Sequence, residues 1–425
     1  MLNKLSNRLK NISGDKKSVL ALVGGTTIAQ ALNFLFSPIQ TRLFSPEVFG
    51  ELAVFTSITS IIGTIICLGY DQGIPLPKED DEGYAILKVS WLFALIISLL
   101  SMFLLFVFGN KIYYNFGASN LSYYWFYVPL LLLTQGFIQS TNYWLIRNKK
   151  FKIISYNKVI PTLFVNILSI FLGFIGFLNL GARLFAILIG NIINVAILLF
   201  SIIDDIKKSW EKISRRNIIF KYKNFLLYDI WSNLINTLSW MIIPVLLNMY
   251  FDSYVAGQYS IGLKIIQLPI SIIGASFGQV FFKNASEKYH NNELYSYTKK
   301  YIKKLFLYTF PFGLILLFFG RELFVFVFGE KWINAGLYVQ ILSPWAVFWF
   351  VSSPISIIYI IVQKQYISLI TSCLNLLFRF LAIYIAFLFK NDLLAMLLLS
   401  ISGIIVSGLS IFLSVKYSKY NYVIA

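Results

Sequence analysis

One histidine, His290, and two cysteines, Cys67 and Cys373, are all the imidazole and thiol groups that 425 residues hold. A histidine-built zinc site is excluded by that count, and a histidine-based triad by the place of His290 in a polar loop. Both cysteines lie inside apolar runs, which reads as two small buried hydrophobes and not as a disulfide or a metal pair. No G-x-x-x-x-G-K-[ST] string occurs, so ATP hydrolysis through a P-loop is excluded as well. Nothing calls for a cofactor or a bound metal. Charge is scarce: 13% of residues are Asp, Glu, Lys or Arg, against about 25% in soluble chains. A water-soluble globular enzyme does not have that composition.

What is abundant is apolar surface. Hydrophobic residues make up 58% of the chain and aromatic residues 18%, with a mean hydropathy of +0.74. Uncharged runs over 18–41, 52–70, 89–110, 159–182, 184–203, 230–251 and 393–415 each approach one membrane thickness as a helix. The runs 112–146 and 332–363 are longer and share a crossing with polar flanks. Three further crossings carry charge: 254–282 with Lys264, 301–328 with Lys303, Lys304, Arg321 and Glu322, and 366–389 with Arg379. Stretches such as 92–108 are apolar on every face, which fits helices that satisfy their own backbone and not the alternation of barrel strands. The expected fold is an all-α integral membrane protein of about twelve transmembrane helices.

Lys and Arg are distributed unevenly. With a cytoplasmic N-terminus, 28 fall in the inner loops and tails and 6 on the opposite side. The net charge of +18 therefore reads as a positive-inside bias and not as nucleic-acid binding; both termini are expected in the cytoplasm. Leu2, Leu5, Leu9 and Ile12 share one helical face among five cations, so residues 1–17 form either an interfacial helix or a basic tail; they lack the apolar core of a signal peptide. The string Phe106-Val107-Phe108-Gly109 recurs as Phe326-Val327-Phe328-Gly329, and Val48-x-Gly50 recurs as Val255-x-Gly257. Pro38 and Pro244 precede the second pair. These repeats suggest two parallel-related six-helix bundles, 18–203 and 224–416, joined by a cytoplasmic linker, 204–223, and followed by a tail, 417–425. Prolines at 38, 129, 161, 244, 269, 344 and 354 are expected to kink helices.

Polar groups inside a bilayer cost about 2.5–3.5 kcal/mol at a helix centre and mark function or a partner. Lys264 falls near the midplane, either as a binding group or in a structural ion pair; Arg379 is similarly central. Arg42 closes the first crossing, as an interfacial anchor or a site residue. Asp71, Asp229 and Glu51 are either solvated helix-end charges or carriers of a coupling ion, a proton or sodium. Gln30 and Asn33, with Asn233 and Asn236 in the second half, put amides on one face of the first helix of each bundle. Interhelical hydrogen bonding and a lining that meets sugar hydroxyls both account for them. Glu79 through Glu82 reads as a solvated inner loop.

Ser37-Pro38-Ile39-Gln40-Thr41-Arg42-Leu43-Phe44-Ser45-Pro46-Glu47-Val48-Phe49-Gly50 and Leu68-Gly69-Tyr70-Asp71-Gln72-Gly73-Ile74-Pro75 resemble opening signatures of the polysaccharide-transporter branch of the MOP flippases. The resemblance implies a V-shaped pair of bundles that moves lipid-linked oligosaccharides across the bacterial inner membrane. A carboxylate at Asp71 is typical of the branch; an arginine often stands where this chain has Gly69. On this basis the expected function is alternating-access flipping of undecaprenyl-diphosphate-linked repeat units for O-antigen or capsule. Expected partners are membrane lipids and the polymerase and chain-length proteins of polysaccharide assembly. A drug or cation exporter of the same superfamily would need acids at the midplane, where Lys264 and Arg379 stand instead. A membrane-bound assembly enzyme would need catalytic clusters that the short outer loops do not offer.

Overall fold

The computed structural model describes residues 14–208, 215–222 and 230–419. Among these the regular structure is helical throughout, as apolar runs demand where no water can hydrogen-bond the backbone. The long helices are α1 (Gly14–Leu43), α2 (Pro46–Thr64), α3 (Asp80–Asn115), α4 (Tyr127–Arg147), α5 (Phe151–Phe174), α6 (Leu180–Lys208), α7 (Ile230–Tyr250), α8 (Ser253–His290), α9 (Leu294–Phe328), α10 (Ile333–Ile355), α11 (Tyr366–Leu388) and α12 (Asp392–Tyr417). All except α1 and α4 combine the length and apolar composition of a membrane span. α1 and α4, at 30 and 21 residues, are long enough but more polar. They carry Thr26, Gln30, Asn33 and Gln40, and Thr134, Gln135, Gln139 and Asn142. Of residues 1–17, expected as an interfacial helix or a basic tail, 1–13 lie outside the described residues, and 14–17 form the first turn of α1.

Several helices outrun their apolar stretches. α3 starts at Asp80, so the acids expected in a solvated loop form its first turn, where they complement the helix dipole. Arg147, at the end of α4, holds this turn. It bonds Asp80 at 2.9 and 3.1 Å and the carbonyl of Pro77 at 2.6 Å. α9 starts at Leu294 and carries four lysines before its apolar part. α2 instead ends early, at Thr64. Leu68 and Gly69 then adopt left-handed backbone (φ 48° and 73°), and a short helix follows over Tyr70–Gly73. Two expectations about single residues change. Cys373 is exposed. Pro129 sits in the first turn of α4, where its missing N–H has no partner to lose; the helix-interior proline not anticipated is Pro311.

The chain forms two compact units. Unit 1 takes Met1–Leu43, Ile58–Tyr113 and Ser119–Leu234; unit 2 takes Phe44–Ser57, Tyr114–Ala118 and Ile235–Ala425. In unit 1, Tyr70, Tyr84, Trp144, Leu198 and Ile202 share one buried cluster, bordered by Asp205, which accepts from the Trp144 indole and pairs with Lys150 at 3.0 Å.

Unit 2 contains the start of α2 beside α8, and here the repeated strings meet. A Cβ built on Gly50 would stand 1.8 Å from the Ser253 carbonyl oxygen, and one on Gly257 would stand 1.9 Å from that of Pro46. The two glycines therefore let the backbones cross in contact, and each half of the repeat supplies the gap that the other fills. Asp252 caps α8 by accepting from the Val255 N–H at 2.8 Å.

Candidate functional site

α1 places Thr26, Gln30, Asn33, Ser37 and Gln40 at spacings of four, three, four and three, on one face. α5 offers Ser155, Lys158, Thr162, Asn166 and Ser169 on a matching face. The two helices meet closely because Gly25 lies against Ser155, with no room for a side chain. Along the seam, Lys158 Nζ donates to Thr26 Oγ1 at 2.8 Å. Asn166 Nδ2 donates to Asn33 Oδ1 at 2.8 Å and to the Thr162 carbonyl at 2.7 Å, while its own Oδ1 accepts from Gln40 Nε2 at 2.8 Å. Asn166 and Gln40 are both 4% exposed. Three amides thus satisfy one another at membrane depth, where any left unpaired would cost about 1–3 kcal/mol. Gln30 sits half-buried on the same face.

Lys158 was not anticipated as a site residue: its place beside Lys149, Lys150 and Lys152 assigned it to an inner loop. It lies instead on the third turn of α5, half-buried. The signal that identifies it is the four-residue spacing from Lys158 through Thr162 to Asn166.

A second polar centre in unit 1 surrounds Asp71. The short helix over Tyr70–Gly73 buries its carboxylate to 1% exposure, and Gln139 of α4 donates to it at 2.8 Å. The buried Cys67 thiol donates to the Gly136 carbonyl beside it. Burial raises the Asp71 carboxyl above its ordinary value; the bonds from Gln139 and from backbone N–H groups oppose that shift and are smaller. Asp71 is therefore no solvated helix-end charge.

Unit 2 encloses Arg379. Its side chain projects from α11 and is 2% exposed. Nη1 donates to the Ser239 carbonyl of α7 at 2.5 Å. The guanidinium stacks 3.9 Å from the Trp240 ring centroid and 5.5 Å from that of Trp345, and Trp349 lies against both rings. Pro244 lies five residues further along α7 and, lacking an N–H, leaves the Trp240 carbonyl without its helical partner. No carboxylate pairs with Arg379 among the described residues; the indole faces and one carbonyl accommodate its charge.

The remaining candidates are dispersed. Lys264 is half-buried on α8. Glu51 is half-buried on α2, while Gln258, its counterpart in the repeat, is buried and ties the turn between α9 and α10 to the first residues of α10 through the Lys331 carbonyl (2.7 Å) and the Ala335 N–H (2.8 Å). Arg42 is exposed in the last turn of α1, and Asn233 and Asn236 are exposed on α7. Asp229 lies outside the described residues. No cluster of three or more metal-ligating side chains occurs among the described residues.

Comparison with known proteins places this architecture. No curated protein matches the chain. Among solved structures, it is similar to the lipid II flippase MurJ in an inward closed conformation (TM-score 0.73, 16% identity, 93% of this chain and 87% of that one). It is also similar to an inward-facing multidrug resistance MATE family transporter of the MOP superfamily (TM-score 0.69, 15% identity, 94% and 99%). A third is a MOP superfamily transporter from Pyrococcus furiosus, described as having a binding pocket of reverse polarity (TM-score 0.60, 14% identity, 95% and 97%). At these identities the likeness is one of fold: an all-α membrane protein of the MOP type. The family profile described as polysaccharide biosynthesis protein matches residues 39–336, well over half of the 425. This chain therefore belongs to the polysaccharide biosynthesis protein family, with a fold similar to that of MOP superfamily transporters.

Proposed function

We propose that this protein is a flippase, not an enzyme, that moves polyprenyl-diphosphate-linked oligosaccharide repeat units across the inner membrane by alternating access, for O-antigen or capsule. The observation that carries this reading is the sign of the charge inside the membrane helices. Lys158, Lys264 and Arg379 stand seven or more residues inside their spans, whereas the acids of the spans, Glu51 and Glu322 among them, stand six residues or fewer from an end; cations at depth suit a substrate bearing a diphosphate. A cation exporter would need acids at that depth. The amide seam of α1 and α5 adds groups that exchange readily with sugar hydroxyls.

Within this reading Lys264 contacts the diphosphate directly. Arg379, already engaged by Ser239 and two indoles, serves by fixing the bend of α7. Asp71 is the group that takes up a coupling proton.

Deleting the gene should leave lipid-linked repeat units on the inner leaflet and remove surface polysaccharide. The purified protein in liposomes should flip a fluorescent lipid-linked oligosaccharide. Proton-driven export of cationic dyes with no flipping would overturn the reading. For Lys264, the alanine and glutamate variants should lose surface polysaccharide at normal protein abundance, and Lys264→Arg should retain part of it. Restoration of transport by neutralising Glu51 or Asp229 together with Lys264 would make the lysine half of an internal ion pair instead.

A further inference from the structure

Unit 2 contains a cavity of about 420 Å³ whose walls are almost entirely apolar. Ile273 and Phe277 of α8, Tyr308 and Phe312 of α9, and Val347 and Phe350 of α10 line it. Thr309 also reaches the wall, but its hydroxyl is bonded to the Leu305 carbonyl at 2.9 Å. The space exists because α8 is irregular there. Residues Ile270–Gly274 form a π turn directly after Pro269, which displaces the helix from its regular path. Ile273, Tyr308 and Phe312 are exposed at its mouth (45%, 54% and 40%).

One turn before Tyr308, Lys304 holds its Nζ 5.8 Å from the tyrosine ring centroid. Lys300 is exposed one turn further along the same face. An apolar slot thus opens at membrane depth beneath cations at the headgroup level, on the lysine-rich side of the membrane.

We infer that this is a binding site for an anionic diacyl phospholipid, with one acyl chain in the cavity and the phosphate on Lys304. The cavity is large enough and apolar enough to take a stretch of lipid chain. Charge selects the headgroup, since juxtamembrane lysines favour anionic lipid. The inference holds whatever the protein transports.

The test uses the full chain in nanodiscs of phosphatidylcholine and phosphatidylglycerol, with a trace of phosphatidylglycerol bearing a photoreactive group at the end of one acyl chain. Labelled peptides should map to residues 308–313 and 346–350. The matching photoreactive phosphatidylcholine should label them less, by about fivefold, the worth of one lysine near an anionic headgroup. Lys304→Glu, at an exposed position that folding tolerates, should lower phosphatidylglycerol labelling to that level. Ile273→Trp, which plugs the mouth, should lower labelling by both lipids. Equal labelling by the two lipids together with no effect of Lys304→Glu would overturn the site as ordinary boundary lipid. Displacement of the phosphatidylglycerol label by added undecaprenyl phosphate would also overturn it, giving the cavity to a carrier lipid.

Discussion

Five residues before Pro38, Asn33 of unit 1 accepts a hydrogen bond from Asn166 of α5; five residues before Pro244, Ser239 of unit 2 accepts one from Arg379 of α11. The first and fifth helices of each half are therefore joined at the same place relative to a helix proline. The means differ. Unit 1 uses neutral side-chain amides, which can break and re-form with other hydroxyls or amides at little cost. Unit 2 uses a permanent cation whose charge is satisfied by a backbone carbonyl and indole faces, an arrangement with no ready substitute. The same scaffold thus carries an adaptable joint in one unit and a fixed one in the other.

The shared scaffold is tested most severely where the two repeated strings touch. Gly50→Ala and Gly257→Ala each place a methyl group within 2 Å of a backbone oxygen. Neither helix can yield without moving the other, so each change is expected beyond about 4 kcal/mol, the exceptional range for single substitutions. Folded yield in detergent should collapse equally for both. A large loss for one and none for the other would break the reciprocity on which the comparison of halves rests.

The fixed joint comes next. Arg379→Ala removes the stacking on Trp240 and a charge-assisted bond, together about 3 kcal/mol. Thermal unfolding in detergent should show the loss. Arg379→Lys should recover little of it, since an ammonium neither stacks as a plane nor matches the fork of the guanidinium. The adaptable joint should cost less. Asn166→Leu leaves Asn33 and Gln40 without their shared partner, for about 2 kcal/mol. If the seam also meets sugar, Asn166→Leu should reduce flipping at temperatures where the variant stays folded. Asn166→Gln should restore part of both.

These joints were unequally legible. The crossings could be read directly, because an apolar run of one membrane thickness has few alternatives to a helix. The ends of α3 and α9 could not. Their extensions past the membrane are polar, and a charged string such as Asp80-Asp81-Glu82 serves equally as a loop or as a first turn. Asn33 and Arg379 stood out because polarity is costly in an apolar run. Their partners did not. Ser239 contributes a backbone carbonyl, which no side-chain pattern reveals, and Trp240, Trp345 and Trp349 were indistinguishable from lipid-facing aromatic bulk. Lys158 was hidden by its neighbours, three lysines at a helix start that made it one more inner cation. Asp71 was visible as an acid at a helix end, but its burial depends on the left-handed turn at Leu68 and Gly69 that folds it back beneath α4.

The smallest expected effect on stability, and the most informative about coupling, lies at Asp71. Its carboxyl is raised above the ordinary value of 3.8 by burial. The folded protein therefore holds the proton to higher pH than the unfolded chain does. Stability contributed by this group is present below the ordinary value and is lost as pH rises from there through the raised value, where the charged form must be buried. Other carboxylates titrate over the same window, so the contribution of Asp71 is read from the difference between the parent and a variant that lacks only this group. Asp71→Asn keeps an oxygen for the Gln139 amide and removes the titration. The variant should unfold with a flatter pH profile over that window, a small change since only one partly compensated group is altered. If Asp71 also takes up the coupling proton, flipping by Asp71→Asn in liposomes should no longer respond to an imposed pH gradient. A variant with a flattened stability profile but full response to the gradient would leave Asp71 as a structural acid and move proton coupling elsewhere in the protein.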